Sequence, residues 1–356
     1  MTSFPSPAVL ACTLLMGCSA SLNRFTVKKV IPAMMQDADL DMACHFGKTV
    51  TSGVGAAMSR RPSQKALILS SGAAGICAEL EAREAKLAGQ VILANHASLG
   101  SAMAAEATDA RIRAQRLYAR AASRYYSAWL NAVDVYGTEC STMSEDEQAL
   151  FLFGLIAGDL AVITDAAGGT AVGVPQSTIL DVARAAECLD SDTWWGVPDA
   201  LKASAWATVP GSGPDDIDPW SLFETATARG DADGVRIARA LQVFTAANAG
   251  RSDLVEAGLA AHGAAQSEGA DADWLLLDTY AFSVSLFESD QLWIATNGHR
   301  TMTFGTTPGA SGVGGEDPFG GSDPFGGSDP FGGSDPFAEP NPPQDEAPEG
   351  APGDNQ

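Results

Sequence analysis

The chain has 356 residues, 44 acidic and 21 basic, with a formal charge of −23. That length allows about two domains, or one large one with a sizeable core. The charge argues against a nucleic-acid partner, which requires a basic face, and against electrostatic docking on anionic lipid.

The N-terminal residues 1–17 read as a signal peptide. Ala8–Gly17 is an apolar run of the length expected for its hydrophobic region and is too short to span a bilayer. It ends in Leu15-Met16-Gly17-Cys18, which resembles a bacterial lipobox. By that resemblance Cys18 is lipidated and becomes the mature N-terminus. The non-acidic Ser19 then points to the outer membrane, with the protein facing the periplasm. One departure is that Met1–Pro7 lacks the usual Lys or Arg. Residues 18–36 read as a linker after the anchor.

Residues 37–300 carry helical patterns separated by breakers. Asp37–Arg60 is closed by Arg61-Pro62. Ser63–Leu87 follows, and Ala88–Ala107 continues it. Ala110–Tyr136 is the clearest helix: Tyr118, Ala122, Tyr125, Trp129 and Val133 share one face of a 3.6-residue period. Arg113, Arg116, Arg120 and Arg124 form another stripe, which reads as a solvated face. Glu145–Asp165 is strongly apolar but contains Asp159, so it reads as a core helix and not a membrane span. Further helices are expected over Pro175–Leu189, Asp199–Thr208, Trp220–Arg229, Asp231–Ala247, Asp253–Ala265 and Asp273–Phe287. No run alternates as a strand would. The expected class is all-α, with antiparallel helix hairpins stacked as a TPR-like solenoid or bundle.

Residues 301–356 read as a disordered acidic tail. From Gly305 onward there are ten acidic residues, ten Pro and thirteen Gly, with no basic residue. Gly-Gly-Ser-Asp-Pro-Phe occurs three times, ending at Phe325, Phe331 and Phe337. One Phe in six residues cannot build a core. The tail serves as a solubilising extension or as a multivalent display of Phe.

Catalytic and metal-binding patterns are sparse. His45, His96, His262 and His299 form no zinc-binding helix motif. Cys44-His45 are neighbours on a helix and point about 100° apart, so they do not form a nucleophile–base pair. Gly53-Val54-Gly55-Ala56-Ala57-Met58 lies in a helical pattern and falls short of a phosphate loop. Asp215, Asp216 and Asp218 read as a helix-capping loop. Cys44, Cys77, Cys140 and Cys188 lack close metal or redox spacing and read as small buried side chains, although an envelope location permits disulfides. No cofactor or enzymatic activity is expected. The aromatic residues best suited to line a ligand or partner pocket are Tyr118, Tyr125, Trp129, Trp194 and Trp195.

The order of segments resembles the T-component lipoproteins associated with TRAP transporters, the TatT family. The residues that carry the likeness are the lipobox and Arg111-Ile112-Arg113-Ala114-Gln115-Arg116-Leu117-Tyr118-Ala119-Arg120-Ala121. The apolar helix at Ala149–Ile163, Trp194-Trp195-Gly196-Val197-Pro198 and Asp218-Pro219-Trp220 add to it. The resemblance covers roughly Asp37–Thr296. It implies a lipid-anchored helical protein that forms homo-oligomers, as trimers. It also implies a periplasmic solute-binding P component as partner and an apolar channel for a hydrophobic small molecule. The competing expectation is a protein-interaction scaffold of the same fold with no small ligand.

Overall fold

A computed structural model describes residues 26–57, 64–96, 100–302 and 304–306. The candidate lipidation residue Cys18 and the expected tail beyond Thr306 lie outside the described residues. Within them are eleven α-helices and no strand.

A π-helical turn, Thr26–Val30, leads into the five-residue α1, Ile31–Met35. Over its described part, residues 26–36, this departs from the reading as linker: Ile31, Met34 and Met35 are buried in the main core. Three apolar side chains in five residues gain more from burial than a linker gains from hydration. Asp39 accepts the backbone N–H of Asp41 at 2.8 Å at the start of α2, Leu40–Ala57.

The long helices α3, Gln64–Asn95, and α4, Ser101–Tyr136, form the central hairpin. The expected continuous helix through Ala88–Ala107 is interrupted between them. Asn95 turns its amide onto the Val91 carbonyl at 3.0 Å and the Gly298 carbonyl at 2.7 Å, closing α3. On α4 the aromatic stripe is buried at Tyr118, Tyr125 and Trp129, while Arg113, Arg116 and Arg120 face solvent.

Helix α5, Glu145–Ala167, starts with a capping interaction, the Ser144 N–H donating to Glu147 Oε2 at 3.2 Å. Lys65 of α3 bonds the other oxygen of that carboxylate at 2.6 Å. By length and composition α5 could cross a membrane, but 83% of its apolar window is buried inside the protein. Its position between α4 and the following helices makes it a core helix.

Shorter helices follow: α6 (Ser177–Ala186), α7 (Val197–Thr208), α8 (Pro219–Asp233), α9 (Ile237–Asn248) and α10 (Ser252–Ala265). Asp218 caps α8, accepting the Ser221 N–H at 2.8 Å, as the acidic-loop reading expects. Gly196 precedes α7 at φ +77°, where a Cβ would lie 2.1 Å from the Ala226 carbonyl oxygen. The expected single helix over Asp231–Ala247 is split, because Gly234 takes a left-handed conformation at φ +72°.

The last helix, α11 (Leu275–Asn297), packs on α9 and also returns to α3. That return closes the hairpins into a bundle. Arg236, just before α9, fixes α11 to this end of α9 and α10. Fully buried, it bonds Asp278 of α11 at 2.6 Å and the Ala265 carbonyl at the end of α10 at 2.8 Å. Residues 300–302 and 304–306, placed near or within the expected tail, still lie on the body: the Phe304 ring is 5.4 Å from His262 and 4.8 Å from Phe282.

The cysteines depart from the sequence reading. Cys44 of α2 pairs with Cys77 of α3, and Cys140 before α5 pairs with Cys188 after α6. Cys140 is itself exposed, so burial does not explain it. Spacings of 33 and 48 residues carry no local signature, and only the packing of the hairpins brings the partners together.

Candidate functional site

Seven helices converge on one apolar cavity of about 70 Å³. Helix α3 contributes Ile68, Leu69, Gly72, Ala73 and Ile76, and α5 contributes Phe153, Ile156, Ala157 and Leu160. Leu276, Leu277 and Tyr280 of α11 form a further wall, with Ile237 of α9, Ala43 of α2 and Tyr125 of α4. Met34 and Met35 of α1 complete the lining. Gly72 leaves this part of α3 bare: a Cβ there would meet no atom within 4 Å.

The two tyrosines are the polar members of the lining, and their hydroxyls are already engaged. Tyr125 and Tyr280 donate to Glu79 Oε2 at 2.6 and 2.9 Å. Arg83, one turn further along α3, donates to Glu79 Oε1 at 2.6 Å. Glu79 is fully buried and Arg83 nearly so. Burial disfavours the Arg83 charge most strongly, but the Glu79 carboxylate together with Tyr280, Tyr118 and Tyr125 holds the guanidinium pKa above its ordinary value. Burial, and then Glu79, push both tyrosine hydroxyls well above the usual phenol range. The Arg83 guanidinium also lies 5.4 Å from the Phe287 ring and 5.8 Å from Tyr280. Its Nε and Nη1 have no hydrogen-bond partner among the described residues.

This ionic cluster continues along the α3–α11 seam. Glu288 is buried, and its pKa rises to about 7 because of burial, against the pull of Lys86 and Arg83. A second buried carboxyl, Asp159 of α5, is also pushed up to about 7 by burial. Ser204 donates to its Oδ1 at 2.8 Å, while Oδ2 has no partner.

A separate surface cleft of about 370 Å³ lies on the other side of α1. Ile31, Pro32, Met35 and Gln36 form one wall. Trp194, Trp274 and Ala149 line it with the acidic Glu145, Asp146 and Asp273. Trp194, Trp195 and Trp274 pack edge to face, with centroids 4.6 to 6.0 Å apart. The Trp194 indole N–H donates to Gln148 at 3.1 Å.

The five aromatic residues expected at a pocket therefore do not share one. Tyr125 lines the central cavity and Trp194 lines the outer cleft. Trp195 packs edge to face on Trp194, and Trp129 lies where a Cβ on Gly158 would meet its ring at 3.1 Å. Tyr118 packs in a small satellite core with Ala82, Ala85, Ala114 and Leu117. Sequence reasoning missed Met34, Met35, Tyr280, Trp274 and the Glu79–Arg83 pair. The pair has the i, i+4 spacing of an intrahelical bridge, a spacing that is ordinarily solvent-exposed. Among the described residues no group of His, Cys, Asp and Glu is arranged to hold a metal. Cys44 is in a disulfide and His45 is exposed, so this adjacent pair offers no nucleophile and base.

The class of protein that fold and site define is a disulfide-bonded helical bundle around an apolar hollow. Comparison with family models, curated proteins and solved structures gave no match to this chain.

Proposed function

We propose that the protein is a lipid-anchored component of the bacterial envelope that takes an apolar small molecule into its central cavity and works beside a periplasmic solute-binding protein. The observation that carries this reading is the cavity itself. Its walls are aliphatic and aromatic, and its tyrosine hydroxyls are already bonded to Glu79. A site with no free polar group selects for greasy ligands, because a polar one would lose its water without compensation. The anchor rests on the lipobox ending at Cys18. The paired cysteines support an oxidising compartment. The partner and the trimeric state rest on the family resemblance alone.

A scaffold reading is favoured by one observation, the size of the hollow. At about 70 Å³ it is roughly half the ~150 Å³ cavity that takes up benzene in a protein core. Titration with the neutral fluorescent probe N-phenyl-1-naphthylamine separates the two. A ligand-binding protein shows saturable enhancement, and Gly72→Leu, whose side chain grows into the hollow, removes it. A scaffold shows no saturable signal in either protein.

A further inference from the structure

The partition between the two hollows is thin. Met35 of α1 lines both the central cavity and the outer cleft. Ile31 and Pro32 face the cleft, and Met34 faces the cavity. Helix α1 has five residues, no side-chain N-cap and a proline at its start. Among the described residues, one side-chain hydrogen bond ties residues 31–36 to the rest of the body: Gln36 to Asp273, 2.8 Å long and exposed. The remaining hold is burial: Ile31, Met34 and Met35 lie in the core, and Val30 on the preceding turn packs against it. Methionine is the most adaptable of apolar side chains, and its contacts are readily replaced by another flexible chain.

We propose that α1 is a displaceable plug, and that the ligand which takes its place is a single-chain amphiphile with a neutral or cationic head. This rests on the apolar-ligand reading above and deepens it. With α1 withdrawn, the wall that Met35 forms is gone and the cavity runs into the cleft. The hydrocarbon chain then occupies the volume of Met34 and Met35. The head group emerges beside Glu145, Asp146 and Asp273, with Trp194 and Trp274 alongside. Those carboxylates disfavour an anionic head and favour an ammonium, which the indole faces also attract. The present smallness of the cavity follows, because the chain fills its own site when no ligand is bound. The displacement reduces apparent affinity by the fraction of time α1 stays seated.

The test uses the full chain and two readouts. Hydrogen exchange of the backbone at residues 30–36 is followed with and without saturating N-phenyl-1-naphthylamine. Decyltrimethylammonium and decanoate, below their micelle concentrations, then compete for the probe. Exchange at 30–36 is expected to rise several-fold on binding. Decyltrimethylammonium is expected to compete at a concentration at least tenfold lower than decanoate. Asp146→Asn with Asp273→Asn should narrow that gap, and Gln36→Ala should tighten probe binding several-fold. Probe binding that Gly72→Leu blocks, with exchange at 30–36 unchanged or slowed, overturns the plug and leaves the cavity reading standing. Decanoate competing as well as the cation overturns the head-group assignment. No probe binding by the wild-type chain overturns both the plug and the function it rests on.

Discussion

At the residue scale, two glycines one turn apart on α3 have opposite roles. A Cβ on Gly72 meets nothing within 4 Å, whereas one on Gly75 would lie 2.5 Å from the Tyr125 ring. Tyr125 cannot retreat, because its hydroxyl is bonded to buried Glu79. Gly72→Ala should therefore raise stability by about 1 kcal/mol, the usual helix-interior gain. Gly75→Ala should lower it by about 1–3 kcal/mol through overpacking. Urea unfolding of both variants checks this. The Glu79–Arg83 pair makes a stronger demand. Arg83→Met leaves a fully buried carboxylate without its cation, at a cost of about 3–5 kcal/mol. If Glu79→Gln is added to Arg83→Met, much of that loss should return.

Asp159 gives a pH dependence of defined sign. Its folded pKa, about 7, lies above the ordinary carboxylate value, so between these the native state binds the extra proton. Stability from this group is full below about pH 4 and is lost as pH rises to about 7. Asp159→Asn should be stabilising at pH 8 and close to neutral at pH 4. Buried His262 acts in the opposite sense. Burial lowers its pKa to about 3, so its contribution is present above pH 6.5 and is lost as pH falls towards 3. Denaturation of wild type and Asp159→Asn at pH 4, 6 and 8 isolates the carboxyl contribution.

At the element scale, the disulfides join helices that α-helical periodicity cannot pair. Cys44–Cys77 ties α2 to α3, and Cys140–Cys188 ties the entry of α5 to the exit of α6. For separations of 33 and 48 residues, chain entropy puts each at about 4 kcal/mol. Ala substitution of both members of either pair should lower the melting temperature, and reducing agent should do the same to the wild type. Much of the helical order was legible. The α4 stripe, the apolar α5 and the Asp218-Pro219 start of α8 all follow from local pattern. Breaks at Asn95 and Gly234 were not legible, since each depends on a conformation or contact that composition does not reveal. Helix α1 was missed for a different reason. Five residues are too few to show a period, and only the hollow it covers makes it a helix worth burying.

At the scale of the whole molecule, one contact converts a row of hairpins into an enclosure: α11 folds back onto α3. The cavity wall formed by Leu276, Leu277 and Tyr280 exists only because of that return. The site was therefore half legible. Tyr125 was found because it lies on a helical stripe. Tyr280, 155 positions away in sequence, meets it through Glu79, and no spacing within one helix announces such a partner. The same closure explains why the five expected aromatic residues scatter: a period shows which face of a helix is buried and not which hollow that face adjoins.

The most direct measurement is native mass spectrometry of the full chain extracted from membranes, compared with Gly72→Leu prepared in the same way. Added mass of a few hundred daltons is expected on the wild type, assignable to a single-chain amphiphile, and is expected to be lost in Gly72→Leu. A bare wild-type chain that stays bare when incubated with such amphiphiles would contradict the ligand-binding reading.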